Sequence, residues 1–370
     1  MPLLEPASPG GCFMDAQSLG VRPNPAIRPH MRALQLLADR DLRLIDIPPP
    51  PPPGPGEVQL AMRAVALNHI DVWGWRGMAF VKRTLPISVG AEGVGEVAAL
   101  GEGVEGFQLG QMIVPYGGLT CGTCKECLRG RDNLCENIKG IRGFHVDGFA
   151  RGLMNIPARQ CVKVPAGVTA EDAACAGITF STVQHMLFDN AKLEPGETIL
   201  IHAAGSGIGT VAVRMAKAIG CTVIGTVGDE YKAEKARAEG VDYVVNYNTD
   251  RFESLARRVT GKRGVDVVFE HVGAATWAGS LLALKMGGRL VTCGSTSGVS
   301  AETNLMMIFQ RQLRIQGSFG ATMRNIAEGL DKMAAGIRPV LDTVLPMEAF
   351  EQGLARLEAR NVFGKIVIKL

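Results

Sequence analysis

The chain has 370 residues, which is too long for one ordinary hydrophobic core and suits two domains. Apolar residues make up 46% and charged residues 20%, as in typical globular proteins, and the net charge of +3 is too small to indicate nucleic acid as a partner. No run of about 18 apolar residues occurs, so we expect neither a transmembrane helix nor a membrane partner.

The beginning of the chain differs from the rest. The first thirty residues contain six prolines, no periodic apolar pattern and no basic segment followed by an apolar run that would indicate a signal peptide. We interpret residues 1–30 as a disordered or loosely packed extension, with Met31 as an alternative start. The proline run Pro48–Pro53 predicts a stiff polyproline II connector, and an SH3-type ligand is the alternative.

Residues 31–165 form the first predicted domain, which is rich in short strands. Apolar runs such as Ala33–Leu37, Val58–Val65 and Val94–Leu100 are broken by glycine and proline. This pattern predicts a distorted barrel of strands.

Four of the nine cysteines lie together in a lobe formed by residues 116–136. They are Cys121, Cys124, Cys127 and Cys135. Four thiolates at this spacing fill a tetrahedral coordination shell and leave no open position, which is typical of structural zinc. Clustered thiols also suit a reducing compartment, so we expect a cytoplasmic protein with one structural zinc per chain. Free thiols or a disulfide pair are the alternatives.

In residues 166–320 short apolar runs alternate with helical stretches. Six strands with crossover helices predict an α/β domain with a parallel, doubly wound sheet. The predicted strands are Thr198–His202, Thr222–Val227, Tyr243–Asn246, Val265–His271, Gly288–Cys293 and Leu313–Ser318. We expect residues 321–370, which end in a strand at Lys365–Leu370, to pack back on the first domain.

A glycine-rich turn follows the first strand of this sheet and opens a helix. The residues predicted to lie at a pyrophosphate are Gly205, Gly207, Ile208 and Gly209. A helix N-terminus offers free N–H donors and a favourable dipole to phosphate. Thr210 replaces the third glycine of the G-x-G-x-x-G pattern, and an ordinary tight turn is the alternative.

The end of the second strand decides between NAD and NADP. An NAD site places an acidic residue there to bind the ribose hydroxyls. Val227 holds that position, Gly228 leaves room for a 2′-phosphate, and Lys232 can pair with this phosphate. The pattern favours NADP, although Asp229 could serve as the ribose acceptor and Lys232 could be a solvated lysine.

These motifs together resemble the medium-chain dehydrogenase/reductase family over about Met31–Leu370. The resemblance includes Gly54-Pro55-Gly56-Glu57-Val58, the cysteine lobe, the glycine-rich turn and Phe363-Gly364-Lys365-Ile366-Val367. It implies a Rossmann domain joined to a GroES-like catalytic domain, and homodimers or homotetramers joined through the Rossmann sheet. The lobe resembles the structural zinc lobe of zinc-type alcohol dehydrogenases, whereas Leu67-Asn68-His69-Ile70-Asp71 resembles the quinone oxidoreductase branch.

The quinone oxidoreductase branch also implies residues for the cofactor. A lysine and a tyrosine contact the adenosine end of NADPH in that branch, which implies Lys232 and Tyr247 here. Thr179 and Gly294 are further cofactor-binding candidates.

The chain departs from the zinc-type alcohol dehydrogenases at their catalytic zinc. Asn68 stands at the first cysteine position, Ala91 stands at the histidine of Gly-His-Glu, and only Cys175 matches a ligand. One thiolate cannot hold a catalytic zinc, and a single cysteine is more typical of a core position. Without a Lewis acid, an alkoxide loses its usual stabilisation.

We therefore predict an NADPH-dependent oxidoreductase that reduces a small quinone, enone or other activated alkene. Asn68 is predicted to donate to the substrate carbonyl, His69 to lie at a phosphate or in a proton relay, and Asp71 to orient both. Trp73 or Trp75 is expected at the cleft wall or in the core. The alternatives are an alcohol or aldehyde dehydrogenase with an altered zinc site and a non-enzymatic NADPH-binding protein.

Overall fold

The computed structural model describes residues 30–78 and 83–370. The extension predicted at residues 1–30 lies outside the described residues, apart from His30. Among the described residues, no helix combines the length and apolar content that crossing a bilayer requires.

The first domain consists of short strands, in agreement with the broken apolar runs of its sequence. Its strands are β1 (Met31–Ala38), β2 (Asp41–Ile47), β3 (Glu57–Ala66), β4 (Ile87–Ser88), β5 (Gly93–Leu100), β6 (Met112–Pro115), β7 (Leu153–Pro157) and β8 (Cys161–Lys163). Its helices are α1 (His69–Arg76) and α2 (Lys125–Leu128), with 3₁₀ turns at Asp132–Leu134 and Ala158–Gln160. Strands β3, β5, β6 and β8 pair in antiparallel order, and β2, β1 and β4 form a separate antiparallel sheet. Leu60, Ile113 and Phe149 are fully buried in the core between these elements.

A helical segment that the sequence analysis did not predict joins the two domains. It contains α3 (Ala170–Ala173), α4 (Ser181–Gln184) and π-helical turns at Ala176–Phe180 and His185–Asn190. Most of its residues are buried on all sides. A helix that is covered all round shows no amphipathic period, which is why the pattern of apolar residues did not reveal it.

The second domain contains the predicted six-stranded parallel sheet. Its strands are β9 (Thr198–Ile201), β10 (Thr222–Val227), β11 (Tyr243–Asn246), β12 (Val265–Glu270), β13 (Leu284–Thr292) and β14 (Arg314–Gly317). Its helices are α5 (Gly207–Ala218), α6 (Glu230–Ala238), α7 (Phe252–Val259), α8 (Ala274–Ala283) and α9 (Leu305–Gln310). The spatial order β11-β10-β9-β12-β13-β14 confirms the doubly wound Rossmann fold.

Strand β13 begins at Leu284, earlier than the predicted Gly288. Leu284 pairs with Val265 of β12, the register then shifts, and pairing resumes at Arg289 opposite Val267.

The last segment returns to the first domain. Its elements are α10 (Met323–Ala334), β15 (Leu341–Pro346), a 3₁₀ turn (Met347–Ala349), α11 (Phe350–Glu358) and β16 (Lys365–Lys369). Strand β16 pairs with β3 in antiparallel register, with Val367 opposite Ala66, and with β15 in parallel register. This return places Lys365, at the start of β16, next to the beginning of helix α1.

Candidate active site

A cavity of about 780 Å³ lies between the two domains. Nine of the predicted cofactor-binding and catalytic residues line it. They are Asn68, His69, Gly205, Gly207, Ile208, Gly228, Lys232, Tyr247 and Gly294. Asp71, Thr179 and Gly209 are not on the cavity wall.

The glycine-rich turn presents backbone donors to this cavity. Ser206 caps helix α5, and its hydroxyl accepts a hydrogen bond from Gly209 N at 3.0 Å. The N–H groups of Gly207 and Ile208 donate to no described residue, so the turn fits a phosphate group. A Cβ at Gly209 would lie 2.3 Å from Ala203 O. A side chain at residue 209 would therefore clash with the close turn that leads into helix α5, and the place of Gly209 at the pyrophosphate stays a prediction.

The adenosine end of the cavity is formed after strands β10 and β11. A Cβ at Gly228 would lie 2.6 Å from the Tyr247 hydroxyl. Tyr247 can therefore approach this closely only because residue 228 has no side chain. Lys232 Nζ donates to the carbonyl oxygen of Arg360 at 2.6 Å, and both residues line the cavity. Asp229 caps helix α6 by accepting from Lys232 N at 2.8 Å and lies off the wall. One of its two carboxylate oxygens thus caps the helix.

The four cysteines of the lobe converge. Their sulfur atoms all lie within 4.8 Å of one another, with Cys121 and Cys135 3.6 Å apart. Backbone N–H groups of Thr123 and Cys124 point at the sulfur of Cys121 and lower its pKa to about 5, whereas burial raises the pKa of Cys127 to about 12. In residues 30–78 and 83–370, this is the only cluster of three or more His, Cys, Asp or Glu side chains that could hold a metal. The donor set fits zinc.

The cysteine lobe also supports the cavity wall. Asn133, which lies just before the fourth cysteine, lines the cavity and donates from Nδ2 to the carbonyl oxygen of Phe319 at 2.9 Å. The hydroxyl of Tyr116, at the start of the lobe, donates to the carbonyl oxygen of Ala321 at 2.7 Å. Two hydrogen bonds therefore connect the lobe to Phe319 and Ala321, which also line the cavity.

A buried polar network lies behind Asn68. Its Nδ2 donates to Glu92 Oε2 at 2.7 Å and to the carbonyl oxygen of Ala66 at 3.1 Å. Its Oδ1 accepts from Lys365 Nζ at 2.8 Å, and Lys365 also donates to the carbonyl oxygen of Leu67 at 2.7 Å. Both amide protons of Asn68 are thus used within the protein. This arrangement leaves none for a substrate carbonyl, which corrects the role predicted for Asn68.

Thr179 and Asp71 belong to the same network, behind the cavity wall. The Thr179 hydroxyl donates to Glu92 Oε2 at 3.0 Å, and its backbone N–H donates to Oε1 at 2.9 Å. Both donors are thus used by Glu92, and Thr179 is fully buried behind the cavity wall, apart from the place predicted for it at the cofactor. Asp71 accepts from the backbone N–H groups of Asn68 at 2.8 Å and Ala91 at 3.0 Å. Burial raises the pKa of Asp71 to about 6.

Local sequence patterns do not predict this network. Glu92 and Lys365 form a charged pair, 1% and 2% exposed, with 3.4 Å between Nζ and Oε2. In the sequence, Lys365 is part of the terminal motif Phe363-Gly364-Lys365-Ile366-Val367, and no nearby residue indicates that Glu92 is its partner. No local pattern shows that a lysine in the last strand will be buried.

His69 projects into the cavity, where solvent reaches it. The surrounding protein removes part of its hydration, and the positive charge of Lys365 adds to this effect, so the pKa of His69 falls to about 4. Its ring is therefore neutral at pH 7. Trp73 stands edge-on to it, with 6.4 Å between ring centroids, and lines the cavity, whereas Trp75 is buried in the core of the first domain.

Ala91 and Cys175 stand at the two other positions that hold catalytic zinc ligands in zinc-type alcohol dehydrogenases, and both are buried away from the cavity. Ala91 is 1% exposed and Cys175 is fully buried. The Cys175 thiol donates to the carbonyl oxygen of Glu171, and burial raises its pKa well above the usual range. Such a thiol is a core group, as the sequence indicated.

A glycine-rich turn at the carboxyl edge of a doubly wound sheet, facing a β-rich domain across a cavity, defines a two-domain dehydrogenase. Comparison with protein families agrees with this class. The model described as zinc-binding dehydrogenase matches residues 207–335, and the model described as alcohol dehydrogenase GroES-like domain matches residues 54–166.

Individual relatives cover nearly the whole chain. The acryloyl-coenzyme A reductase of Metallosphaera sedula is 31% identical over 315 residues, which are 84% of this chain and 92% of the relative. The L-threonine 3-dehydrogenase of Yersinia pseudotuberculosis is 32% identical over 350 residues, 91% and 99% of the two chains. The crystal structure of an NAD-dependent alcohol dehydrogenase is 39% identical, with a TM-score of 0.86 over 92% of this chain and 99% of the other. The chain belongs to the medium-chain dehydrogenase/reductase family and is an oxidoreductase.

Proposed function

We propose that the protein is an NADPH-dependent reductase of activated alkenes, such as enones, quinones or enoyl thioesters, with zinc in a structural role only. The single observation that carries this proposal is the state of the former catalytic metal site. An amide at residue 68, a methyl group at residue 91 and the sealed thiol of Cys175 offer no ligand set for a Lewis acid.

The cavity supports NADPH as the cofactor, which supplies a hydride when it is bound. The free N–H groups of Gly207 and Ile208 would hold the pyrophosphate. Lys232, Tyr247 and Arg360 meet at the adenosine end, where two positive charges favour a 2′-phosphate over a bare ribose. Asp229, the residue that could have selected NAD, is used as a helix cap.

His69 is the residue we assign to the substrate. It stands on the cavity wall, is neutral at pH 7, and makes no hydrogen bond to a described residue. Hydride addition to an activated alkene produces an enolate, whose negative charge lies mainly on the carbonyl oxygen. One imidazole N–H can stabilise that charge by donating a hydrogen bond. Asn68, Glu92 and Asp71 act as positioning residues because their bonds fix the start of helix α1, which carries His69.

The names of the relatives indicate two kinds of reaction, the reduction of an activated alkene and the oxidation of an alcohol. Acryloyl-coenzyme A is an activated alkene, and the acryloyl-coenzyme A reductase covers most of this chain. The threonine and alcohol dehydrogenases oxidise alcohols, which makes alcohol oxidation the second candidate function. The closed metal site favours the first candidate.

Following NADPH absorbance with an enone, a quinone, acryloyl-coenzyme A and an aldehyde tests the proposal. We expect turnover with one or more of the first three and none with the aldehyde, with the same rates before and after brief chelator treatment. Exclusive turnover of alcohols or aldehydes would support the second candidate. Binding of NADPH with no turnover of any substrate would leave a non-enzymatic role.

A further inference from the structure

His271 directly follows strand β12 and lies on the cavity wall, only 9% exposed. Its Nε2 lies 2.8 Å from the carbonyl oxygen of His202. A carbonyl oxygen only accepts hydrogen bonds, so Nε2 carries the proton. Burial lowers the pKa of His271 and keeps the ring neutral. The other ring nitrogen, Nδ1, is therefore an unprotonated acceptor.

This acceptor has no partner among the described residues. Nδ1 is not among the fully buried polar atoms without a partner, whereas Nε1 of Trp75 is, and His271 itself lines the cavity. A ligand in the cavity can therefore approach this side chain. Once a ligand fills the cavity and excludes water, this acceptor costs free energy if it has no donor, and an O–H or N–H group of the ligand would supply one. The neighbouring Glu270 needs no ligand, because its carboxylate accepts from the hydroxyls of Thr276 and Ser280 at 2.8 Å each.

The sheet order shows which part of a dinucleotide would meet His271. Strand β9, which leads into the glycine-rich turn, has β10 on one side and β12 on the other. Lys232 and Tyr247, at the adenosine end, follow β10 and β11. A dinucleotide lies across the carboxyl edge of such a sheet, with its pyrophosphate at the turn. The end of β12 therefore faces the nicotinamide half.

We propose that Nδ1 of His271 accepts a hydrogen bond from a ribose hydroxyl on the nicotinamide half of the cofactor. The inference rests on the proposed use of NADP(H). A ribose offers O–H donors next to the nicotinamide, and the bond would fix that half against the wall formed by Cys293 and Gly294. The adenosine half would not depend on it.

Two substitutions distinguish the contribution of Nδ1 from that of Nε2. His271→Asn keeps an acceptor near the position of Nδ1, whereas His271→Gln keeps a donor near Nε2 and loses that acceptor. Calorimetry would measure the Kd of NADP+ and of adenosine 2′,5′-bisphosphate, which lacks the nicotinamide half. We expect His271→Gln to weaken NADP+ roughly three- to tenfold, the range for one neutral hydrogen bond, and His271→Asn to stay closer to the wild type. Both should bind the bisphosphate normally.

The outcomes are distinct. Unchanged NADP+ affinity in His271→Gln, or equal losses for NADP+ and the bisphosphate, would overturn the assignment and leave the proposed cofactor intact. Failure of the wild type to bind either nucleotide would overturn both. Thermal unfolding without ligand checks that each variant is folded. If His271→Gln does not fold, His271→Phe replaces it, because phenylalanine keeps a ring but has no hydrogen-bond acceptor.

Discussion

The ammonium group of Lys365 lies 2.8 Å from Oδ1 of Asn68, which joins the last strand of the chain to the first helix of the first domain. The two residues are 297 positions apart in sequence. Lys365 is also the positive partner of the buried Glu92. This contact links the return of the last segment to the geometry of the cavity wall.

Removing the positive charge from this network should destabilise the fold. Lys365→Met leaves Glu92 buried without its ion-pair partner, and we expect a loss of about 3–5 kcal/mol in the free energy of unfolding. Denaturant titration measures it. Lys369→Met is the matched control on the same strand, because Lys369 is 64% exposed and pairs with Glu171 at the surface, so its loss should be below about 1 kcal/mol. Equal effects of the two substitutions would contradict a structural role for the buried pair.

The buried Asp71 should make stability depend on pH. Its pKa rises from 3.8 to about 6 in the folded state, so the folded chain binds more protons than the unfolded chain between these values. The group therefore stabilises the fold below pH 4, and this contribution, up to about 3 kcal/mol, is lost as pH rises through 6. Unfolding titrations from pH 4 to pH 7 should show a steeper decline for the wild type than for Asp71→Asn. Parallel profiles would show that Asp71 does not titrate in this way.

Lys232 should select NADPH over NADH. Lys232→Ala removes a cation from the adenosine end of the cavity, and we expect NADPH to bind about tenfold more weakly with little change for NADH, since one charge-assisted bond contributes about 1.5–3 kcal/mol. Fluorescence titration gives both constants. Arg237→Ala is the control, because Arg237 lies on the same helix but pairs with Glu230 at 2.8 Å, away from the cavity. A wild-type preference for NADH would count against the assignment.

The purified protein should contain one zinc ion per chain, held by the cysteine lobe. Cys124→Ser removes one of four ligands and should lower both zinc content and thermal stability, because metal binding and folding of the lobe are linked. Cys175→Ser should retain one zinc, since Cys175 is buried apart from the lobe. Elemental analysis compares the three proteins. Two ions in the wild type, with one lost in Cys175→Ser, would restore the alcohol dehydrogenase alternative.

We propose that the chain forms a homodimer or homotetramer through strand β14. Arg314–Gly317 is the exposed edge strand of the parallel sheet, and helix α9, which precedes it in sequence, exposes Leu305 and Phe309 by 71% and 67%. Phe309→Glu should shift the protein toward the monomer in light scattering. Leu109→Glu, at an equally exposed leucine of the first domain, should not. A monomeric wild type would refute the proposal.

Much of the architecture is already present in local patterns of the sequence. The apolar runs predicted all six strands of the parallel sheet, with Thr222–Val227 and Tyr243–Asn246 at their observed bounds. The spacing of the four cysteines predicted a cluster that the fold brings together. The predicted order of strand, glycine-rich turn and helix is observed at β9 and α5. Each of these signals depends on residues close together in the chain, where period, spacing and turn chemistry are set by short-range geometry.

The chemistry of the cavity wall was decided by tertiary structure. Asn68 was expected to donate to a substrate, but Glu92 and the carbonyl oxygen of Ala66 accept both of its amide protons. Thr179 was predicted at the cofactor, and its hydroxyl donates to Glu92 behind the wall. Nothing near His271 in the sequence indicates that its Nε2 is taken by the carbonyl oxygen of His202. A hydrogen-bond partner hundreds of residues away leaves no trace in local sequence. The free donors and acceptors of a buried site are determined only when packing has assigned every other polar group its partner.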